Sequence, residues 1–199
     1  MLSWKFTATV VFALVLVAVP RLKAQDNKKS ETSAQTAATA AAPATPVAKP
    51  ADVASPDAIL AAVYEVISGP KGQKRDWERF RSLYLPGARL IPTGAKKDGA
   101  GSFARVLSPD EYVDRAIPIF EKDGFYETEA ARRMERYGNI VQIFSTYESR
   151  HDPKDAPFAR GVNSFQLFFD GTRWWVVTVF WQGETAESPI PKEFLPGAK

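Results

Sequence analysis

The chain has 199 residues, 45% of them hydrophobic and 12% aromatic, with 26 basic and 23 acidic side chains and a formal net charge of +3. There is no cysteine, which excludes disulfides, thiolate metal sites, a cysteine nucleophile and an acylated lipoprotein cysteine. Lys5, Arg21 and Lys23 fall in the first 24 positions, so the remainder holds 23 charges of each sign; with no basic excess to meet a phosphate backbone, no nucleic-acid partner is expected.

Phe6 to Pro20 is apolar apart from Thr7 and Thr9, follows Lys5, and leads through Leu22-Lys23-Ala24 to Gln25. That order of charge, apolar stretch and small residue predicts a signal peptide over 1–24, cleaved before Gln25, and places the mature protein in the periplasm or outside the cell. The apolar stretch is shorter than the roughly 20 residues of a membrane span, so membrane contact is expected only if the segment is kept as an anchor. Residues 25–52 are mainly Ala, Thr, Pro and Lys and bury too little to offset chain entropy, which predicts a disordered linker. One domain is expected over 53–199, long enough for a single core.

Within it, Ser55-Pro56-Asp57 is a helix cap with proline in the first turn, and Ile59, Leu60, Val63, Val66 and Ile67 form a helical stripe ending at Gly69-Pro70. Asp76 caps a second helix carrying Trp77, Phe80, Leu83 and Tyr84. Short strands are expected at 88–91 and 103–107, on either side of a glycine-rich connection. Ser108-Pro109-Asp110-Glu111 is a capping box opening a third helix, with Pro118 inside it. Residues 125–137 have helical propensity in their second half, but Gly138-Asn139 and the alternating run 140–150 favour a long hairpin. A second hairpin is expected around Asp170-Gly171, with a two-residue loop that sets Leu167 opposite Trp174, Phe165 opposite Val176 and Asn163 opposite Thr178.

With that order of elements in hand, Arg79 to Tyr84 running into Pro86-Gly87-Ala88-Arg89-Leu90, then Tyr137-Gly138-Asn139-Ile140, Ser145-Thr146-Tyr147-Glu148, Asn163 to Leu167 and Arg173-Trp174-Trp175 resemble the nuclear transport factor 2-like superfamily, which includes ketosteroid isomerase-like and polyketide cyclase-like proteins. The tail from Trp181-Gln182 to Phe194-Leu195 resembles an exported bacterial subgroup that mostly lacks an assigned activity. The resemblance implies an α+β cone: a curved antiparallel sheet of about six strands wrapped around three helices, with an apolar pocket inside and a dimer contact on the outer sheet face.

Polarity assigns Val141, Ile143, Ser145 and Tyr147 to the inner face, and on the closing hairpin Asn163, Phe165, Leu167, Trp174, Val176, Thr178 and Phe180. Trp175 and Trp181 then face outwards, where they suggest a homodimer interface. Tyr147, Asn163 and Thr178 are polar groups on an inner face and need partners; with Ser145, and with Tyr84 and Gln182 at the rim, they form the expected ligand-binding set.

No catalytic set is legible. The acid that ketosteroid isomerase-like members carry at the end of the first strand has no counterpart in Leu90-Ile91-Pro92-Thr93, and the cone is expected to hold no ionised group, although Glu65, Asp114, Glu127 or Glu129 reach it if a helix phase or strand register shifts by one. Glu127 to Arg136 otherwise reads as a solvated ladder of paired charges. His151, the only histidine, reads as part of a turn. Neither a metal-ligand spacing nor a cofactor motif is present. The expected function is non-catalytic binding of a small, mostly apolar ligand or a protein partner; the alternatives are a lyase or isomerase acting on a carbonyl compound, and a homodimeric association module.

Overall fold

The computed structural model describes residues 45–197; the expected signal peptide and the linker up to residue 44 lie outside the described residues. The packed domain begins before Val53. Ala48 and Asp52 are buried, and Asp52 forms a two-pronged ion pair with Arg79 at 2.7 and 3.0 Å, so residues 48–52 belong to the domain rather than to a linker.

Three helices follow the sequence signals. Helix α1 (Pro56–Ile67) starts where Ser55 Oγ accepts from the Ala58 amide, and buries Ile59, Leu60, Val63, Val66 and Ile67. Helix α2 (Trp77–Ser82) is capped by Asp76 but stops before Leu83, so Tyr84, expected on this helix, instead opens the first strand, which starts four residues earlier than expected. Helix α3 (Pro109–Asp123) opens on the reciprocal Ser108–Glu111 capping box and buries Val113, Ala116 and Phe120; Pro118 sits inside it.

The strands are β1 (Tyr84–Ala95), β2 (Ser102–Ala104), β3 (Tyr126–Tyr137), β4 (Ile140–Arg150), β5 (Ala159–Phe169) and β6 (Trp174–Gly183). They form one sheet in the order β2-β1-β6-β5-β4-β3. All neighbouring pairs are antiparallel except β1 with β6, which run parallel. The long β3–β4 hairpin turns at Gly138-Asn139, where Gly138 takes φ +55° as a tight turn requires. The inner face of β4 is Val141, Ile143, Ser145 and Tyr147 as expected, and all four are buried.

The closing hairpin departs from expectation twice. Asp170 Oδ1 accepts from the Thr172 and Arg173 amides and from Thr172 Oγ1, so the turn centres on Gly171-Thr172, with Phe169 opposite Trp174 and Leu167 opposite Val176. This slip of two residues keeps each side chain on its face. A β-bulge at Val177 does not: beyond it Gln166 pairs with Thr178, Phe165 with Val179 and Asn163 with Trp181. Val179 and Trp181 therefore turn inwards, while Thr178 and Phe180 turn out, Phe180 being 45% exposed. Of the two tryptophans expected on the outer face only Trp175 is there. Its indole donates to Asp170 Oδ2 at 2.6 Å, and the Arg173 guanidinium lies 3.6 Å from its ring centre.

Candidate functional site

The helices do not fill the concave side of the sheet. A cavity of about 310 Å³ is lined by Phe80, Leu90 and Leu107, by Tyr112 and Phe120 of α3, by Phe125 just before β3, and by Tyr147, Asn163, Phe165, Val179 and Trp181 of the sheet. Phe80 and Phe165 are almost wholly buried, each contributing about 1.5–3 kcal/mol by leaving water; this apolar wall gives the cavity its low polarity.

Glu127 stands in that wall, contrary to the expectation of a cone free of ionised groups. The reason is a β-bulge at Ala130, beyond which β3 pairs Glu129 with Tyr147 and Glu127 with Ser149, which sets both glutamates on the inner face. Glu127 Oε2 accepts from Ser149 Oγ at 3.0 Å and Oε1 from Asn163 Nδ2 at 3.3 Å. By exposed area Glu127 is half-buried, because it borders the cone and also a cleft beside α1. Protein atoms nevertheless crowd the carboxyl, and that crowding governs its proton affinity. Desolvation pushes its pKa up from 4.5 to about 7, and the bonds from Ser149 and Asn163 only partly offset this.

A buried chain of hydrogen bonds continues from the same asparagine. Asn163 Nδ2 also donates to the Tyr64 hydroxyl at 3.1 Å, Tyr64 and Ser145 are 2.7 Å apart, and Ser145 Oγ donates to Glu129 Oε2 at 2.5 Å. Arg132 binds Glu129 at 2.6 Å and also pairs with Asp57. Thus Glu129 has a guanidinium partner, whereas Glu127 has neutral ones only.

Tyr84, Tyr112 and Tyr147 line the cavity, and among the described residues their hydroxyls have no hydrogen-bond partner although none is sealed from solvent. Burial first, and then the Glu127 charge, raises the pKa of the Tyr112 and Tyr147 hydroxyls, so they remain protonated donors; burial likewise raises that of Tyr84. Tyr147 lies over the Gly161–Gly183 pair of β5 and β6. A Cβ on Gly161 would come within 2.4 Å of both the Tyr147 hydroxyl and the Gln182 carbonyl oxygen, so glycine is what lets the ring lie there.

Of the residues expected from sequence, Tyr84, Tyr147 and Asn163 meet at the cavity. Ser145 is fully buried behind it, bonded to Tyr64 and Glu129. Thr178 and Gln182 are not in the site. The bulge at Val177 puts both on the outer face, where Gln182 Nε2 donates to Ser188 Oγ at 3.1 Å. His151 stacks on Phe158 at 4.2 Å and meets the Gly124 carbonyl at 3.1 Å, away from the cavity, in keeping with a turn residue. Sequence reasoning missed Tyr112 and put Trp181 outside; it reached Glu127 only as an alternative, should the register of its strand shift by one, which the β-bulge at Ala130 does.

Six strands in this order, wrapped on three helices, make the α+β cone that the sequence resemblance implies. A Thiobacillus denitrificans chain named provisionally as a calcium/calmodulin-dependent protein kinase type II association domain superposes with TM-score 0.51 at 14% identity, over 72% of this chain and 100% of its own. An NTF2-like protein of unknown function from Shewanella baltica gives TM-score 0.45 at 16% identity, over 64% and 90%. A Parabacteroides distasonis protein named provisionally as a ketosteroid isomerase gives 0.44 at 9%, over 66% and 89%. No protein-family model and no curated protein matches the chain.

Proposed function

We propose that this protein is a receptor for a small, mostly apolar molecule bearing an oxygen that hydrogen-bonds in the depth of the cone. The observation that carries the reading is an apolar cavity of about 310 Å³ whose polar lining converges on Glu127, Asn163 and tyrosine hydroxyls without partners. Apolar walls supply affinity, and the convergent polar groups fix orientation. Export of the mature chain, and pairing through the outer sheet face, remain part of this proposal; exposed Ile140, Phe144 and Phe180 support the latter on the face that Trp181 has left.

The test is titration with 2-naphthol, an apolar body with one hydroxyl, read by tryptophan fluorescence. Saturable quenching is expected in the wild type, and its loss in Val179→Trp, which fills the cavity. Non-saturable quenching in the wild type refutes the reading.

The raised proton affinity of Glu127 favours a second reading, proton transfer on a carbonyl compound. A carboxylate with a pKa about 7 can remove a proton beside a carbonyl and return it elsewhere, while a tyrosine hydroxyl donates to the developing enolate oxygen. Isomerisation of a β,γ-unsaturated cyclic ketone, followed by absorbance of the conjugated product, should then rise with pH through about 7 and vanish in Glu127→Gln. Equal rates in both proteins exclude Glu127 as the base.

A further inference from the structure

Arg105, just after β2, and Arg115, on the middle of α3, both line the same cavity as Glu127, and both are exposed, so they stand at its mouth. Neither forms an ion pair among the described residues. The other arginines nearby are committed: Arg81 to Glu78 and Asp110, and Arg89 to the carbonyls of Gly87 and Ala88. Glu111, one turn before Arg115, feels its charge but spends its carboxylate on the Ser108 amide as a cap. Two guanidinium groups without counter-ions thus border the entrance to an apolar hole, alongside Ile119, which is 59% exposed.

We propose that the ligand of the cone is an amphiphilic organic anion, with its carboxylate or other oxyanion held at the mouth by Arg105 and Arg115 and its apolar body inside. This rests on the receptor reading above and adds the chemical class and the orientation. Guanidinium groups match the fork of a carboxylate or sulfate, and because both are exposed the attraction is strongest at low salt. Orientation follows from charge. Glu127 at the inner wall repels an anion that enters head first and accepts a neutral, hydrogen-bonding far end, so the two ends of the site select opposite ends of one molecule.

The test compares octanoate, octyl sulfate and octan-1-ol by calorimetry on the wild-type protein and on Arg105→Gln/Arg115→Gln, with circular dichroism to verify folding. Both anions are expected to bind at least tenfold more tightly than octanol at low salt, and the double variant should lose at least tenfold more affinity for the anions than for the alcohol. Octanoate binding without octyl sulfate binding narrows the anion to a carboxylate and supports the proposal. Octanol binding as tightly as the anions, or losses equal for all three probes, overturns it while leaving the receptor reading intact. Failure of all three to bind at millimolar concentration overturns both.

Discussion

Replacing Glu127 with glutamine isolates the energetic consequence of placing a carboxyl in the cone. Below pH 4.5 the group is protonated in both the folded and the unfolded chain and makes no pH-dependent difference. Between 4.5 and about 7 the unfolded chain releases its proton while the folded one retains it, so stability falls as pH rises; above about 7 the loss is complete. At about 1.4 kcal/mol for each tenfold change in proton affinity, the rise from 4.5 to about 7 amounts to about 3 kcal/mol. Glutamine has the same shape and does not titrate. Urea denaturation of the two proteins between pH 4 and 8.5 should therefore show Glu127→Gln gaining on the wild type by about 3 kcal/mol across that range. The carboxyls of Asp52 and Glu65, held low by Arg79, titrate beneath this window and are common to both proteins, so they cancel. A difference that does not change with pH would refute the reasoning, because it would mean that the carboxyl titrates as in water.

Gly161→Ala should cost about 1–3 kcal/mol in denaturation, since its Cβ meets both a ring and a backbone carbonyl; a neutral result would place the Tyr147 ring elsewhere. Trp181→Asp and Phe180→Asp test the bulge. The first should destabilise by more than about 2 kcal/mol and abolish naphthol binding, and the second should stay within about 0.5 kcal/mol and act only on self-association in sedimentation; the reverse would restore unbroken alternation through β6. Asp52→Asn should cost about 1–3 kcal/mol at pH 7, shrinking in strong acid as the wild-type carboxyl protonates; no cost would mean that residues 48–52 do not pack on the domain.

The helices were legible because their signals are local. Ser55, Asp76 and the Ser108–Glu111 pair each cap within three residues of themselves, and the apolar stripe of α1 lies on one contiguous segment. The β3–β4 hairpin was legible for the same reason: Gly138-Asn139 needs only its own backbone preference, and β4 alternates without interruption. The closing hairpin was not. Asp-Gly ordinarily marks a two-residue loop, but here the Asp170 side chain satisfies the donors of Thr172 and Arg173 and moves the turn on by one residue. The bulge at Val177 leaves no trace in Trp174 to Trp181, because nearly every residue there is apolar or β-branched and either parity looks reasonable. Thr178 and Trp181 were thereby exchanged between faces.

Glu127 was hidden by a second bulge, at Ala130: unbroken pairing from the Gly138-Asn139 turn would set Thr128 and Ala130, not Glu127 and Glu129, opposite Ser149 and Tyr147. On β3 the inner face carries Glu127, Glu129, Arg132, Met134 and Arg136, a mostly charged pattern that composition assigns to solvent. The fold tolerates it because most of these charges are answered where they stand: Glu129 and Arg132 bind each other, Arg132 reaches Asp57, and the Arg136 guanidinium lies 5.1 Å from the Trp174 ring centre. Glu127 alone among them faces neutral groups, a serine hydroxyl and an asparagine amide. A carboxylate that needed only to be buried safely would be paired like its neighbour two residues away. An unpaired one, bordered by a cavity and by tyrosines whose hydroxyls are uncommitted, carries a cost of about 3 kcal/mol above neutral pH, which the proposed ligand would offset by hydrogen-bonding to that carboxyl.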